Sequence, residues 1–178
     1  MVEPSKDLQL VFDKAVRDAQ KLQHEYVTLE HLLFAMLCSD NFYNLVKGFG
    51  ADTDYLKSNL EHYLKNSCED IKIETSKHKP KKTQTVERCL NRAFTQTLFN
   101  GRSHIELSDV MLSIISEKKS HAAYYCDQAG IEKDKFANYL SSEIDHETED
   151  EEMSGAAAKA LRAFTSNLND EVKKKTID

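Results

Sequence analysis

The front of this chain is written twice, and that limits what it can fold into. Val27-Thr28-Leu29-Glu30-His31-Leu32-Leu33 returns as Ile105-Glu106-Leu107-Ser108-Asp109-Val110-Met111, an offset of 78. Gly50 to Leu60 returns as Gly130 to Leu140, an offset of 80. In both copies an amphipathic helix precedes the first of these segments. A repeated unit of this size cannot bury its apolar face alone, so the two copies must pack on each other. With no catalytic signature in it, a duplicated helical unit points to a surface for binding.

Helical spacing runs through both copies. Leu8, Val11, Phe12, Ala15, Val16, Ala19 and Leu22 form one stripe. Thr28 is placed to cap the helix through Leu29, Leu32, Leu33, Met36 and Leu37, because its hydroxyl can accept an orphan backbone N–H. Leu45 and Val46 fit a short helix stopped at Lys47-Gly48, with Gly50 as a left-handed cap. Asp52-Thr53-Asp54 opens a helix carrying Leu56, Leu60, Tyr63 and Leu64. The second copy runs through Val86, Leu90, Ala93, Phe94, Thr97 and Leu98, breaks at Gly101, and resumes through Leu107, Val110, Met111, Ile114 and Ile115. Ala122, Ala123 and Cys126, then Phe136, Tyr139 and Leu140, complete it. The fold class expected is all-α: two tandem pseudo-symmetric four-helix repeats, about 8–66 and 85–142, in a domain of residues 1–142. The lysine-rich stretch 66–84 reads as the connection between them.

Charge separates the rest of the chain from this domain. The net charge is −6, yet residues 143–155 hold seven acids and no base, so the remainder is nearly neutral. That acidic stretch reads as a flexible linker. Residues 156–178 form a further segment with no packing partner in view. A near-neutral domain gives no reason to expect nucleic acid as a partner. No run approaches the length of a membrane span, and the first residues lack a signal-peptide pattern. The widely spaced Cys38, Cys68, Cys89 and Cys126 fit a reducing cytoplasm without disulfides.

Chemistry is sparse. No GxxxxGK[ST] loop, dinucleotide loop, nucleophile elbow or HExxH occurs. His24-Glu25 and Glu30-His31, with Cys68 and His78, match no zinc spacing, and the seven histidines read as surface or helix-end residues. A metal-dependent hydrolase built on that set would need tightly bound stoichiometric zinc. The lysines of the connector read as a solvated loop because no aromatics interleave with them. Glu25 and Glu30 flank a helix start, where acids suit the helix dipole whatever else they do.

The string His24 to Leu33 (HEYVTLEHLL) resembles the signature of the Clp N-terminal domain, which opens the AAA+ unfoldases of the ClpA, ClpB and ClpC type. The doubled four-helix architecture is similar to that family's. Ser120 to Tyr125 and the tail Phe164 to Asn169 with Thr176-Ile177-Asp178 resemble the ClpA type in particular. The resemblance implies a ClpA-type N-domain with its linker and without the ATPase modules, either excised from an unfoldase or a natural stand-alone relative. It implies a monomeric, cytoplasmic, non-enzymatic docking module for a ClpS-type adaptor and for protein substrates. ATP, magnesium and the ClpP peptidase belong to the parent hexamer, and no cofactor is expected in this chain. The family's adaptor-contact positions match Glu25, Glu30, Thr83 and Arg88. One zinc ligand of some relatives matches His24, but Lys65 stands where a carboxylate is needed, so no metal is expected. Alternatives are a stand-alone protein that sequesters the adaptor and a ClpB-like domain that binds unfolded protein directly.

Overall fold

The computed structural model describes residues 1–75 and 77–154, with the backbone alone for 144–154. Among the described residues eight α-helices fall in two sets of four. The first set is α1 (Lys6–Lys21), α2 (Leu29–Leu37), α3 (Asp40–Phe49) and α4 (Thr53–Asn66). The second is α5 (Gln84–Phe99), α6 (Leu107–Ile115), α7 (His121–Gln128) and α8 (Lys133–Ser154). The all-α, duplicated architecture expected from the sequence is what the chain adopts.

The two most apolar helices, α2 and α6, lie at the centre and touch each other. Leu32, Leu33 and Met36 of one, and Val110, Met111 and Ile114 of the other, are fully enclosed. Each such side chain contributes roughly 1.5–3 kcal/mol relative to exposure. The amphipathic α1 and α5 bury Leu8, Val11, Ala15 and Ala19, and Val86, Cys89, Ala93 and Thr97. These are the same four positions at an offset of 78.

Among the described residues four two-residue strands, which periodicity does not reveal, tie the copies together. β1 (Glu3–Pro4) pairs in parallel with β4 (His104–Ile105), and β2 (Tyr26–Val27) pairs in parallel with β3 (Lys81–Lys82). Each pair joins the lead-in of one copy's first helix to the lead-in of the other copy's second helix. Ser5 N–H donates to Ile105 O, and its counterpart Thr83 N–H donates to Val27 O. The connector is correspondingly anchored. Its 3-10 turn (Glu69–Ile71) leads into an antiparallel bridge between His24 and Lys72, and Pro80 is buried.

Two expectations need correction. α3 does not stop at Lys47-Gly48; it runs through Gly48 to Phe49 and ends on Gly50, whose φ of 103° is the left-handed cap. Gly48 is retained inside the helix because Tyr139 of α8 packs on it. The histidines are not all at the surface either. His24 and His31 are 3% and 0% exposed, because they hydrogen-bond each other beneath the connector. At the other end, α8 continues as helix past residue 142 through Ser154, consistent with the helix propensity of its glutamates. The segment 156–178 lies outside the described residues. Among the described residues no helix is long and apolar enough to cross a membrane. The four cysteines are free.

Candidate functional site

A groove of about 260 Å³ opens where the two copies meet. Three helix N-termini converge on it. Thr28 caps α2, Thr83 caps α5 by accepting from Val86 N–H at 3.1 Å, and Ser120 caps α7 by accepting from Ala123 N–H at 3.0 Å. All three capping residues line the groove, together with Leu29, Glu30, Thr85, Arg88, Glu117, Lys119 and His121. Converging N-termini and two cations favour negative charge on whatever enters. Two carboxylates on the walls offset that, so the groove offers both donors and acceptors.

Of the residues chosen from the sequence, Glu30, Thr83 and Arg88 meet in this groove. Glu30 is 6% exposed, and its Oε2 accepts from the Ala122 N–H of α7 at 2.8 Å. Its carboxylate therefore caps a helix of the other copy as well as facing the groove. Arg88 holds Glu117 in a two-pronged pair, Nε to Oε2 at 3.0 Å and Nη2 to Oε1 at 2.8 Å. The Arg88 side chain remains 57% exposed. Arg92 adds a 2.6 Å bond to Glu117 Oε2 and anchors on the Ser113 carbonyl at 3.0 Å. These guanidinium bonds, Arg88 first, outweigh burial and hold the Glu117 carboxyl down at about 2.

Glu25 is not part of the groove lining. It is half-buried on the strand side, where its N–H donates to Ile71 O and its C=O accepts from Lys81 N–H. Lys65 pairs with Glu61 on the outer face of α4. Among the described residues no three His, Cys, Asp or Glu side chains form a metal-holding group. Glu117, Lys119, Ser120 and His121 were not singled out for the site by sequence reasoning. The offset gave no signal, because their counterparts near residues 39–43 carry different chemistry. His121 extends the groove onto an aromatic ledge, stacking on Tyr63 with ring centroids 4.5 Å apart and leaning on Tyr125.

The family model of the Clp repeat (R) N-terminal domain matches residues 3–129, which takes in both strand exchanges and all of the groove lining. The chain belongs to the Clp N-terminal repeat domain family. A ClpA homolog protein from Fuscovulum blasticum is 22% identical over 191 residues, covering 98% of this chain and 24% of the relative. The chain thus spans about a quarter of that relative's length. The Hsp104 N-terminal domain from Candida albicans superposes with a TM-score of 0.64 at 12% identity, over 77% of this chain and 88% of the other. A ClpV N-domain solved with a VipB peptide superposes with a TM-score of 0.61 at 17% identity, over 78% and 87%. These two structures share the fold of this Clp N-domain.

Proposed function

We propose that this Clp N-domain is the adaptor-docking and substrate-receptor domain of a ClpA-type unfoldase. In this reading it takes a ClpS-type adaptor and presents cargo for unfolding and degradation by a ClpP-type peptidase in the cytoplasm, itself monomeric, without cofactor or catalysis. The observation that carries the reading is the meeting of Glu30, Thr83 and Arg88 in one groove at the junction of the copies. Its mix of helix N-termini, exposed arginine and carboxylates suits a partner offering both an acid and a donor. Glu25 lies on the strand side and extends the contact only if the adaptor is broad enough to wrap around β2.

Titration calorimetry of the chain with a purified ClpS-type adaptor tests this. One-to-one binding that weakens several-fold in Arg88→Ala, with the melting temperature retained, places the adaptor on the groove. Unchanged affinity in that variant removes the groove from the interface. No binding at all favours the second reading, direct capture of polypeptide in the manner of a ClpB-like domain. That reading draws on the ClpV relative, whose N-domain is complexed with a peptide.

A further inference from the structure

The two copies differ at one backbone edge. In the first copy, residues 23–25 carry an antiparallel bridge from the connector. Glu25 N–H donates to Ile71 O at 2.7 Å, and Ile73 N–H donates to Gln23 O at 2.7 Å. An offset of 78 places Gly101, Arg102 and Ser103 at the same positions. The local backbone is the same there. Gln23 and Gly101 both have positive φ, 60° and 71°. His24 N–H donates to Ala19 O and Arg102 N–H to Thr97 O. The C=O groups of Glu25 and Ser103 accept from Lys81 and Glu3 N–H, each at 3.0 Å.

Besides the His24 C=O, which accepts from His78 Nε2 at 2.6 Å, the outer pair of groups is treated differently. Ser103 N–H and Gly101 C=O have no hydrogen-bond partner among the described residues, and both residues are exposed. The side chains beside this edge differ in the matching sense. Leu98 and Phe99 are 58% and 83% exposed, where the first copy has Gln20 and Lys21. Exposed apolar side chains next to an unpaired backbone edge that leads into β4 are the two ingredients of strand addition.

We propose that the Gly101–Ser103 edge, with Leu98 and Phe99, binds an extended segment of another polypeptide as an added antiparallel strand. The first copy shows the chemistry that fits: Ile71-Lys72-Ile73 presents apolar residues at alternate positions and supplies the complementary N–H and C=O. The second copy does not supply its own occupant from the equivalent place. An offset of 80 puts Glu151-Glu152-Met153 there, and α8 holds those residues in helix. The edge lies at the C-terminal end of α5 and the groove at its N-terminal end, about 24 Å apart along a 16-residue helix. Adaptor and extended substrate would thus occupy separate ends of one helix, and this inference does not rest on the adaptor reading.

The test uses the full chain, isotope-labelled for NMR, and an acetylated, amidated peptide of residues 69–75, EDIKIET. Binding is expected to be weak, to shift the Ser103 amide and to slow its exchange. N-methylation of the second peptide isoleucine removes the donor to Gly101 C=O and should weaken binding roughly tenfold. Leu98→Ser with Phe99→Ser should weaken it too, while adaptor binding is unchanged. Three results would overturn the proposal: no shift at Ser103 with millimolar peptide, equal binding of the N-methylated peptide, or a Ser103 amide already protected in the free chain. The last would mean that the chain's own residues or a second copy fill the edge. Shifts confined to Glu25 would mean that the peptide only displaces its parent segment, which also counts against it.

Discussion

His31 and Asp109 are the same residue of the duplicated unit, and each accepts the backbone N–H of its own helix's N-cap. Thr28 N–H donates to His31 Nδ1 at 2.9 Å, and Glu106 N–H donates to Asp109 Oδ2 at 2.8 Å. Their partners correspond as well. Arg102 grips Asp109 through two bonds of 3.0 and 2.6 Å, and at Arg102's counterpart His24 Nδ1 lies 2.8 Å from His31 Nε2. With His31 Nδ1 accepting, its Nε2–H must donate to His24, so the pair is neutral and fixed in tautomer. One copy thus uses a charged pair, and the other uses two neutral rings.

That difference makes the first copy acid-sensitive. Burial, with the neighbouring His24, lowers His31 to about 3, and burial with Lys72 also lowers His24. A lowered folded value means that the unfolded chain binds the proton first. The pair's contribution to stability should therefore be complete above pH 6.5 and fall as pH drops towards about 3, by at most ~1.4 kcal/mol per unit for each ring. His31→Asn keeps an acceptor for Thr28 N–H but cannot titrate. Urea unfolding across pH 4–7 should show a shallower slope in this variant; an identical slope would place the acid sensitivity elsewhere.

The helices were legible because their core positions recur at helical spacing and because Thr28, Gly50, Asp52 and Gly101 are placed at their ends. The strand exchange was not, since Glu3–Pro4 and Lys81–Lys82 are too short for any alternation to register. Glu30, Thr83 and Arg88 came from family resemblance, and only folding shows that they share a groove. The His24–His31 pair was open to discovery by the same offset that revealed the repeat, since Arg102 and Asp109 seven residues apart read as an ion pair.

Glu106 gives the second copy a pH dependence of opposite sense. It stands where the first copy has Thr28, and burial followed by the charge of Asp109 pushes its carboxyl up to about 8. A raised folded value means that the folded chain holds a proton which the unfolded chain releases above its ordinary 4.5. The contribution of Glu106 to stability should thus decline as pH rises from about 4.5 to about 8. Glu106→Gln removes the charge and should melt several degrees higher than the parent at pH 8, with little difference at pH 4.5. Equal melting at pH 8 would mean that the ionised carboxylate is accommodated without cost.

Glu30 should matter to the fold before it matters to any partner. Truncating it to Ala leaves the Ala122 N–H at the start of α7 without its acceptor. The expected loss is about 1–3 kcal/mol in urea unfolding, with Glu30→Gln losing less because its amide oxygen can still accept. Glu25→Ala should be nearly neutral, since only the Glu25 backbone takes part in the strand exchange. If Glu30→Ala is equally neutral, Glu30 is not a cross-copy cap.

Gly48 and Tyr139 should show a reversal of sign. A Cβ on residue 48 would come within 2.8 Å of Tyr139 Oη, which donates to Leu45 O at 2.9 Å. Gly48→Ala gains helix propensity of about 1 kcal/mol but must displace that hydroxyl and its bond, at roughly 1–3 kcal/mol for the overpacking alone. The single change should therefore destabilise. Tyr139→Phe removes the oxygen, and with it both the clash and the bond at stake. In that background Gly48→Ala should stabilise, because only the propensity gain remains. A double-mutant cycle by urea unfolding measures the coupling directly. A coupling energy near zero would mean that α8 does not seat Tyr139 on α3.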